Sequence, residues 1–232
     1  MKNLRKLLMA IAVMLFAGAA NGNAQTHLFN ETLQKAKQGD PYAQCDMGSY
    51  YFSGAEGVSR NYEEAVKWWR MAADQGVDTA QANLALCYKG GYGVAQDYAE
   101  AVKLLRAAAD KGNAYAQYNL ASCYDKGTGV PQNITEAYFW YRKAAEQGLP
   151  QAQYNVGVCY YFGDGVPQDF TEAVKWYIKS AEQGYADAQF NLGVCYYYGE
   201  GVMINIAKAK EWWQKAAAQG NTDAINALRQ VQ

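Results

Sequence analysis

The stretch AQYNLASCYDKGTGVPQ, from Ala116 to Gln132, is followed 36 residues later by AQYNVGVCYYFGDGVPQ, from Ala152 to Gln168. Further copies begin at Ala80 and Ala188, a looser copy begins at Ala43, and a truncated copy begins at Ala224. Self-similarity at one period is the sequence sign of a stacked-repeat architecture. The stretch therefore predicts a fold built from one repeated unit.

Each repeat contains two helical patterns joined by a glycine-rich turn. In the third copy, the recurrent residues of 115–127 fall within one arc of a helix, and those of 133–148 form a second stripe. The second pattern begins at a residue suited to N-capping and ends at a glycine suited to a left-handed C′ position. In four copies a Glu follows the cap by three residues, which predicts a capping-box-like pair. The caps are Asn61, Asp97, Asn133, Asp169 and Asn205, and the glycines are Gly76, Gly112, Gly148, Gly184 and Gly220.

The recurrent pattern A-x-x-x-L-G-x-x-Y-x-x-G-x-G-V, then D-x-x-x-A-x-x-W-x-x-x-A-A-x-x-G, resembles the Sel-one-like repeat family. The resemblance runs from Ala43 to Leu228 and implies a tetratricopeptide-like fold. We therefore expect an all-α, right-handed superhelical solenoid of helix-turn-helix repeats with period 36, containing eleven or twelve helices. The resemblance also implies adaptor or scaffold work in protein complexes, without naming a partner.

The repeat pattern and the N-terminal residues predict the domain organisation. We predict a signal peptide at 1–24, a capping helix at 25–42, five repeats over 43–223 and a C-terminal capping helix at 224–232. The five repeats span 43–79, 80–115, 116–151, 152–187 and 188–223.

The predicted signal peptide combines three basic residues, an apolar run over 7–20 and small residues before Gln25. Cleavage is expected after Ala24, with Ala19 and Ala20 as alternatives. An uncleaved anchor is the other interpretation, but the run is shorter than the roughly 20 residues of a membrane span. We expect a periplasmic or secreted protein with no stable membrane span after cleavage.

Charge and cysteine usage narrow the possible functions. Loss of the leader would remove three basic residues and leave 18 basic against 22 acidic side chains, so no nucleic-acid partner is expected.

Cys87, Cys123, Cys159 and Cys195 share one repeat position and Cys45 occupies another. A full repeat separates these cysteines by more than the roughly 7 Å that a disulfide spans between Cα atoms.

We therefore predict five buried free thiols, with metal binding or catalysis as the alternatives. His27 is the only histidine in the chain. No second cysteine or histidine stands at metal-ligand spacing, so no metal site, cofactor or catalytic set is predicted.

Positions that vary between copies of the first helix follow the spacing i, i+4, i+7, opposite the packing arc. First helices line the concave surface in tetratricopeptide-like stacks, so the resemblance places these positions on a groove floor. In the first two copies they are Cys45, Ser49, Phe52, Ala82, Leu86 and Lys89. Aromatic residues, which are common anchors in binding patches, concentrate in the C-terminal half. The predicted partner-binding residues are Tyr118, Asn119, Tyr154, Asn155, Val158, Tyr161, Phe190, Asn191 and Tyr197.

Two further columns recur in the repeats, one beside this surface and one on the buried stripe of the second helix. The asparagine column, Asn83, Asn119, Asn155 and Asn191, either satisfies a neighbouring helix or loop, or binds the main chain of an extended peptide. The tryptophan column, Trp68, Trp140, Trp176 and Trp212, is predicted to lie in the core. Replacing Tyr118, Tyr154 and Tyr161 with Ala is expected to abolish partner binding and leave stability nearly unchanged.

The functional prediction is a non-catalytic module that binds a protein or peptide segment. A binder of cell-envelope glycan or peptidoglycan is the alternative, because exposed tyrosine also stacks on sugars. A less favoured alternative is a β-lactamase-like hydrolase of the family's cysteine-rich branch, which bridges successive helices by cysteines eight residues apart. This chain has alanine and glutamine there, as at Ala73 and Gln81. The GDGV loop at 163–166 lacks the strand and Lys-Ser/Thr of a phosphate-binding loop, so it is read as a turn.

Overall fold

The computed structural model describes residues 22–55 and 58–231, and the chain divides into two compact units between Lys111 and Gly112. These described residues form twelve α-helices and no strand. The first unit contains α1 (Gly22–Lys37), α2 (Pro41–Ser53), α3 (Tyr62–Asp74), α4 (Asp78–Gly90) and α5 (Tyr98–Asp110). The second contains α6 (Ala114–Lys126), α7 (Ile134–Glu146), α8 (Pro150–Phe162), α9 (Phe170–Glu182), α10 (Ala186–Tyr198), α11 (Ile206–Ala218) and α12 (Thr222–Gln230). The predicted signal peptide lies almost wholly outside the described residues.

Within each unit the helices pack on one another in chain order. The even-numbered helices are the first helices of the repeats and the odd-numbered helices from α3 onward are the second helices. Equivalent helices recur every 36 residues from α4 onward, as α6, α8 and α10 do. The predicted class, an all-α solenoid of helix-turn-helix repeats, is confirmed.

The second helices begin at the predicted caps, but the capping box is only half formed. The Asn133 side chain accepts a hydrogen bond from the backbone N–H of Glu136, and the other caps act in the same way. The predicted return bond to the Glu side chain is replaced, because the Asn133 N–H donates to the carbonyl of Tyr124 at 2.9 Å. This bond ties the start of the second helix to the end of the first. Three of the released Glu side chains pair instead with a Lys three residues later, as Glu172 does with Lys175, whereas Glu136 accepts a hydrogen bond from the Trp140 indole.

The glycine-rich turns have a packing role. Gly165 adopts a φ of 74°, and a Cβ atom there would lie 2.6 Å from the carbonyl oxygen of Ile134 at the start of α7. The turn after α8 therefore packs directly against the backbone of the preceding second helix, and a side chain would hold the two apart.

The tryptophan prediction is correct for Trp140 and Trp176, which are buried, and wrong for Trp68 and Trp212, which are only half-buried. The position that is buried in every copy is the next residue along the chain, occupied by Trp69, Leu105, Tyr141, Tyr177 and Trp213. In the two Trp-Trp copies the second indole takes this position. Its N–H donates to a first-helix carbonyl, from Trp69 to Cys45 at 3.0 Å and from Trp213 to Phe190 at 3.1 Å.

Candidate partner-binding surface

In the first unit, three of the predicted groove positions are packed rather than open. Cys45, Ala82 and Leu86 are each less than 9% exposed, and α2 contacts α4 directly. The small side chains of Cys45 and Ala82 permit this close approach of the two first helices. The prediction of a surface free to bind is therefore wrong at these three positions.

In the second unit, the corresponding residues of α6, α8 and α10 remain partly exposed. Five of them form what we call the aromatic stripe: Tyr118, Tyr154, Tyr161, Phe190 and Tyr197. Their inner edges pack on the core, as Tyr118 does on Tyr141 with ring centroids 5.7 Å apart. Val158 lies between them, partly buried against the same core. Each ring of the stripe is thus partly open to solvent while it packs on the core.

The asparagine column is used inside the second unit. Asn119 is 7% exposed and donates to the carbonyl of Tyr115, one turn earlier, at 2.8 Å. Asn155 hydrogen-bonds the Tyr118 hydroxyl, and Asn191 hydrogen-bonds the hydroxyl of Tyr154. Burial raises the pKa of Tyr118, and the hydrogen bond from Asn155 opposes that rise. These bonds favour the structural interpretation of the asparagines over main-chain recognition.

The bonds from Asn155 and Asn191 each join one first helix to the next, and we call them Tyr–Asn links. Each joins a tyrosine to the asparagine 37 residues later, across the seam between neighbouring repeats. The link at Asn191 is extended, because its side-chain N–H group also reaches the Tyr177 hydroxyl at 3.4 Å.

A pocket opens at the end of the stripe, between α10 and α12. Its volume is about 290 Å³, and the α10 side contributes Phe190 and Tyr197 of the stripe together with Val194. The α12 side contributes Asp223, Asn226 and Ala227, which the sequence analysis did not single out. Aligning the repeat copies would have pointed to this pocket, because Ala227 occupies the position at which the asparagine column would continue.

At the positions where the cysteine-rich branch has cysteines, this chain has alanine and glutamine, and the glutamine side chains form hydrogen bonds. The Gln153 side chain donates to the carbonyl of Ala145 at 3.3 Å, and that of Gln189 donates to Ala181 at 3.1 Å. Each glutamine also accepts from a second glutamine at 2.8 Å, Gln183 for Gln153 and Gln219 for Gln189. Hydrogen bonds of glutamine side chains thus connect successive helices at the positions where that branch is expected to have disulfides.

The five cysteines are buried and no disulfide joins any two of them, as predicted. Burial raises the pKa of Cys45, Cys87, Cys159 and Cys195 to about 12, so these thiols are protonated at neutral pH. Among the described residues, no group of three or more His, Cys, Asp or Glu side chains is arranged to hold a metal ion. In that same part of the chain, no helix is long and apolar enough to span a bilayer.

A family model, the Sel1 repeat, matches residues 41–77, 78–113, 114–149, 150–185 and 186–221. The chain belongs to the Sel1 repeat family. Sel1 repeats generally act as protein-interaction modules, so this membership supports protein partners without identifying one. A comparison with curated proteins gave no match.

Solved structures show the same repeat fold. The chain resembles the protective antigen c5321 of uropathogenic Escherichia coli, which displays an SLR fold (32% identity, TM-score 0.80, 96% of this chain and 50% of that one). It also resembles a Sel1 repeat protein from Oxalobacter formigenes (38% identity, TM-score 0.79, 88% of this chain and 59% of that one). The chain thus spans only about half the length of these two relatives. A Sel1 repeat protein from Klebsiella pneumoniae, 23% identical with a TM-score of 0.55, shares the fold.

Proposed function

We propose that this Sel1 repeat protein is an exported, non-catalytic module that binds a segment of a partner protein along the first helices of its second unit. The observation that carries the proposal is the aromatic stripe, whose five rings are partly exposed on three consecutive first helices. Rings held by packing on one side lose little conformational freedom when a partner covers the other side, which favours them as anchors.

The exposed aromatic residues at the ends of the first helices extend this surface. Phe162 and Tyr198 occupy equivalent positions, and each is 64% exposed. Each ring lies edge-on against a stripe tyrosine, with centroids 4.9 Å apart for Phe162 and Tyr161 and for Tyr198 and Tyr197. A partner lying along the stripe would therefore meet paired rings at the ends of α8 and α10.

Export is part of the proposal and rests on the N-terminal sequence alone. The basic residues, apolar run and small residues of 1–24 are typical of a secretory leader. Mass spectrometry of the exported protein should find an N-terminus near Gln25, and a mature chain that retains Lys2 would contradict the cleaved leader.

Photo-cross-linking tests the partner-binding surface with a matched control. A photoreactive phenylalanine analogue replaces Phe162 beside the stripe, or Phe139 on α7, which is 46% exposed but lies on a second helix. The full-length proteins are irradiated in envelope extract of the source organism. We expect a discrete protein adduct from position 162 and none from position 139.

Three outcomes would contradict the proposal. Equal adducts from both positions would mean that the contact is not specific to the stripe. No adduct from position 162 would place binding elsewhere. Adducts containing only murein fragments would replace the protein-binding function with the glycan-binding alternative.

A further inference from the structure

The seams between the first helices of the second unit are not all closed in the same way. Tyr118 of α6 is linked to Asn155 of α8, and Tyr154 of α8 is linked to Asn191 of α10. At each of these two seams, a tyrosine of one first helix is therefore linked to an asparagine of the next. The pair is separated by 37 residues in both cases.

The third seam, between α10 and α12, lacks the Tyr–Asn link. The same spacing there pairs Phe190 with Ala227, so neither the hydroxyl nor the amide is present. Both residues line the pocket of about 290 Å³. The pocket thus lies where the Tyr–Asn pair of the other two seams is missing.

The lining of this pocket suits a positively charged group on an apolar stem. Phe190, Tyr197 and Tyr198 provide aromatic surface, and Asp223 provides the one carboxylate among the lining residues. No Lys or Arg lines the pocket. Cations bind favourably over aromatic faces, and the stems of Lys and Arg pack on apolar surface while their charged ends stay near polar groups.

The charged residues on the first-helix side of the second unit also favour a positively charged ligand. Six of the second unit's acidic residues lie on its first helices or in the turns after them: Asp125, Asp164, Asp169, Asp187, Glu200 and Asp223. Lys126 and Arg229 are the only basic residues in those segments, while the second helices carry the other seven. The first-helix side of the second unit is therefore acidic and attracts a cationic partner.

We propose that the pocket between α10 and α12 binds a lysine or arginine side chain of the partner segment. This inference rests on the proposed function, because it assigns a specificity pocket to the partner that lies along the stripe. The aliphatic stem packs between Phe190 and Ala227. The charged end lies against the aromatic rings and Asp223.

An NMR titration of the full-length chain tests this pocket without the natural partner. The probe is N-acetyl-lysine methylamide, and its uncharged counterpart is N-acetyl-norleucine methylamide, which has a similar stem. We expect the lysine probe to shift the backbone signals of Val194 and Asn226 and the indole signal of Trp213. The norleucine probe should shift them much less at the same concentration.

Two variants separate charge from shape. Asp223→Asn removes the carboxylate and should weaken the lysine probe by about two- to fivefold, the size expected for an exposed ion pair. Asp164→Asn removes an exposed carboxylate that does not line the pocket and should leave probe binding unchanged. The double variant Phe190→Tyr with Ala227→Asn introduces the missing Tyr–Asn link. It should fold with an unchanged or higher melting temperature and lose the probe-dependent shifts.

Several results would overturn the pocket assignment. They are equal shifts from the two probes, equal effects of Asp223→Asn and Asp164→Asn, or retained probe binding in the folded double variant. Absence of shifts in the wild-type chain would also overturn it, as would shifts produced by N-acetylglucosamine but not by the lysine probe. An adduct at position 162 together with any of these results would retain the proposed function and reject only this pocket.

Discussion

The hydroxyl of Tyr161, in the last turn of α8, donates a 2.6 Å hydrogen bond to the carboxylate of Glu200, in the turn after α10. The bond connects two repeats at the edge of the aromatic stripe, 39 residues apart along the chain. Burial and this hydrogen bond together raise the pKa of Tyr161. A residue selected from the sequence as a surface anchor therefore also holds neighbouring repeats together.

Removing the Tyr161 hydroxyl should destabilise the protein modestly. In Tyr161→Phe the ring stays in place against Phe170, but the bond to Glu200 is lost. We expect a loss of about 1 kcal/mol in the free energy of unfolding, because Glu200 is partly exposed and regains water. Urea denaturation measures this loss. In a double-mutant cycle Tyr161→Phe should cost much less in a Glu200→Ala background, which has no acceptor, and an equal cost in both would contradict the bond.

The three stripe tyrosines should prove necessary for stability, contrary to the expectation from sequence. The ring of Tyr118 packs on Tyr141, and the rings of Tyr154 and Tyr161 pack on Tyr177. Their hydroxyls form hydrogen bonds with Asn155, Asn191 and Glu200, respectively. Replacing all three with Ala should lower stability by about 1–2 kcal/mol for each half-buried ring. The matched triple Phe variant should lose less, because the rings remain. If thermal melting shows the triple Ala variant to be as stable as wild type, the packing described above is wrong.

Gly193→Ala should be destabilising although alanine is the better helix former. A Cβ atom at Gly193 would overlap the indole of Trp213, whose N–H bonds the Phe190 carbonyl. We expect a net loss of about 1–2 kcal/mol, since overpacking outweighs the gain in helix propensity. Ala121 occupies the equivalent position in α6 and is fully buried, so Ala121→Gly should cost about 1 kcal/mol through helix propensity and more through the lost methyl packing. A higher urea midpoint for Gly193→Ala than for wild type would refute the overlap.

The buried thiols should make the protein sensitive to alkali. Cys87 and Cys195 have pKa values of about 12 in the folded chain, above the value of about 8.5 in an unfolded one. Their contribution to stability is therefore complete below pH about 8.5 and is lost as the pH rises toward about 12. The loss per thiol approaches about 1.4 kcal/mol per pH unit above the unfolded value.

Urea midpoints measured between pH about 8 and 9.5 test this below the ordinary range of tyrosine ionisation. Wild type should lose stability across this interval, and the Cys87→Ala, Cys195→Ala double variant should lose less. An identical pH dependence would show that the thiols are not responsible. Thiol titration supplies an independent check, since all five cysteines should react in urea without reductant and resist reaction in the native protein.

Local chemistry in the sequence was enough to predict the repeat. A cap such as Asn133 and a terminating glycine such as Gly148 act within one or two turns, so their roles can be read from neighbouring residues. The 36-residue spacing of Cys87, Cys123, Cys159 and Cys195 likewise predicted equivalent buried positions. These features depend on periodicity and backbone conformation, which the order of residues determines directly.

Contacts between repeats were decided only by the tertiary structure. A helical wheel shows which way a side chain points but not how near the next helix lies, so it could not separate the packed Cys45 and Ala82 from the partly exposed Tyr118. It also could not show that Asn155 bonds a tyrosine 37 residues earlier, or that Phe190 and Ala227 leave a pocket at the same spacing. Each of these depends on the distance between first helices, which is set by the combined size of side chains from different repeats.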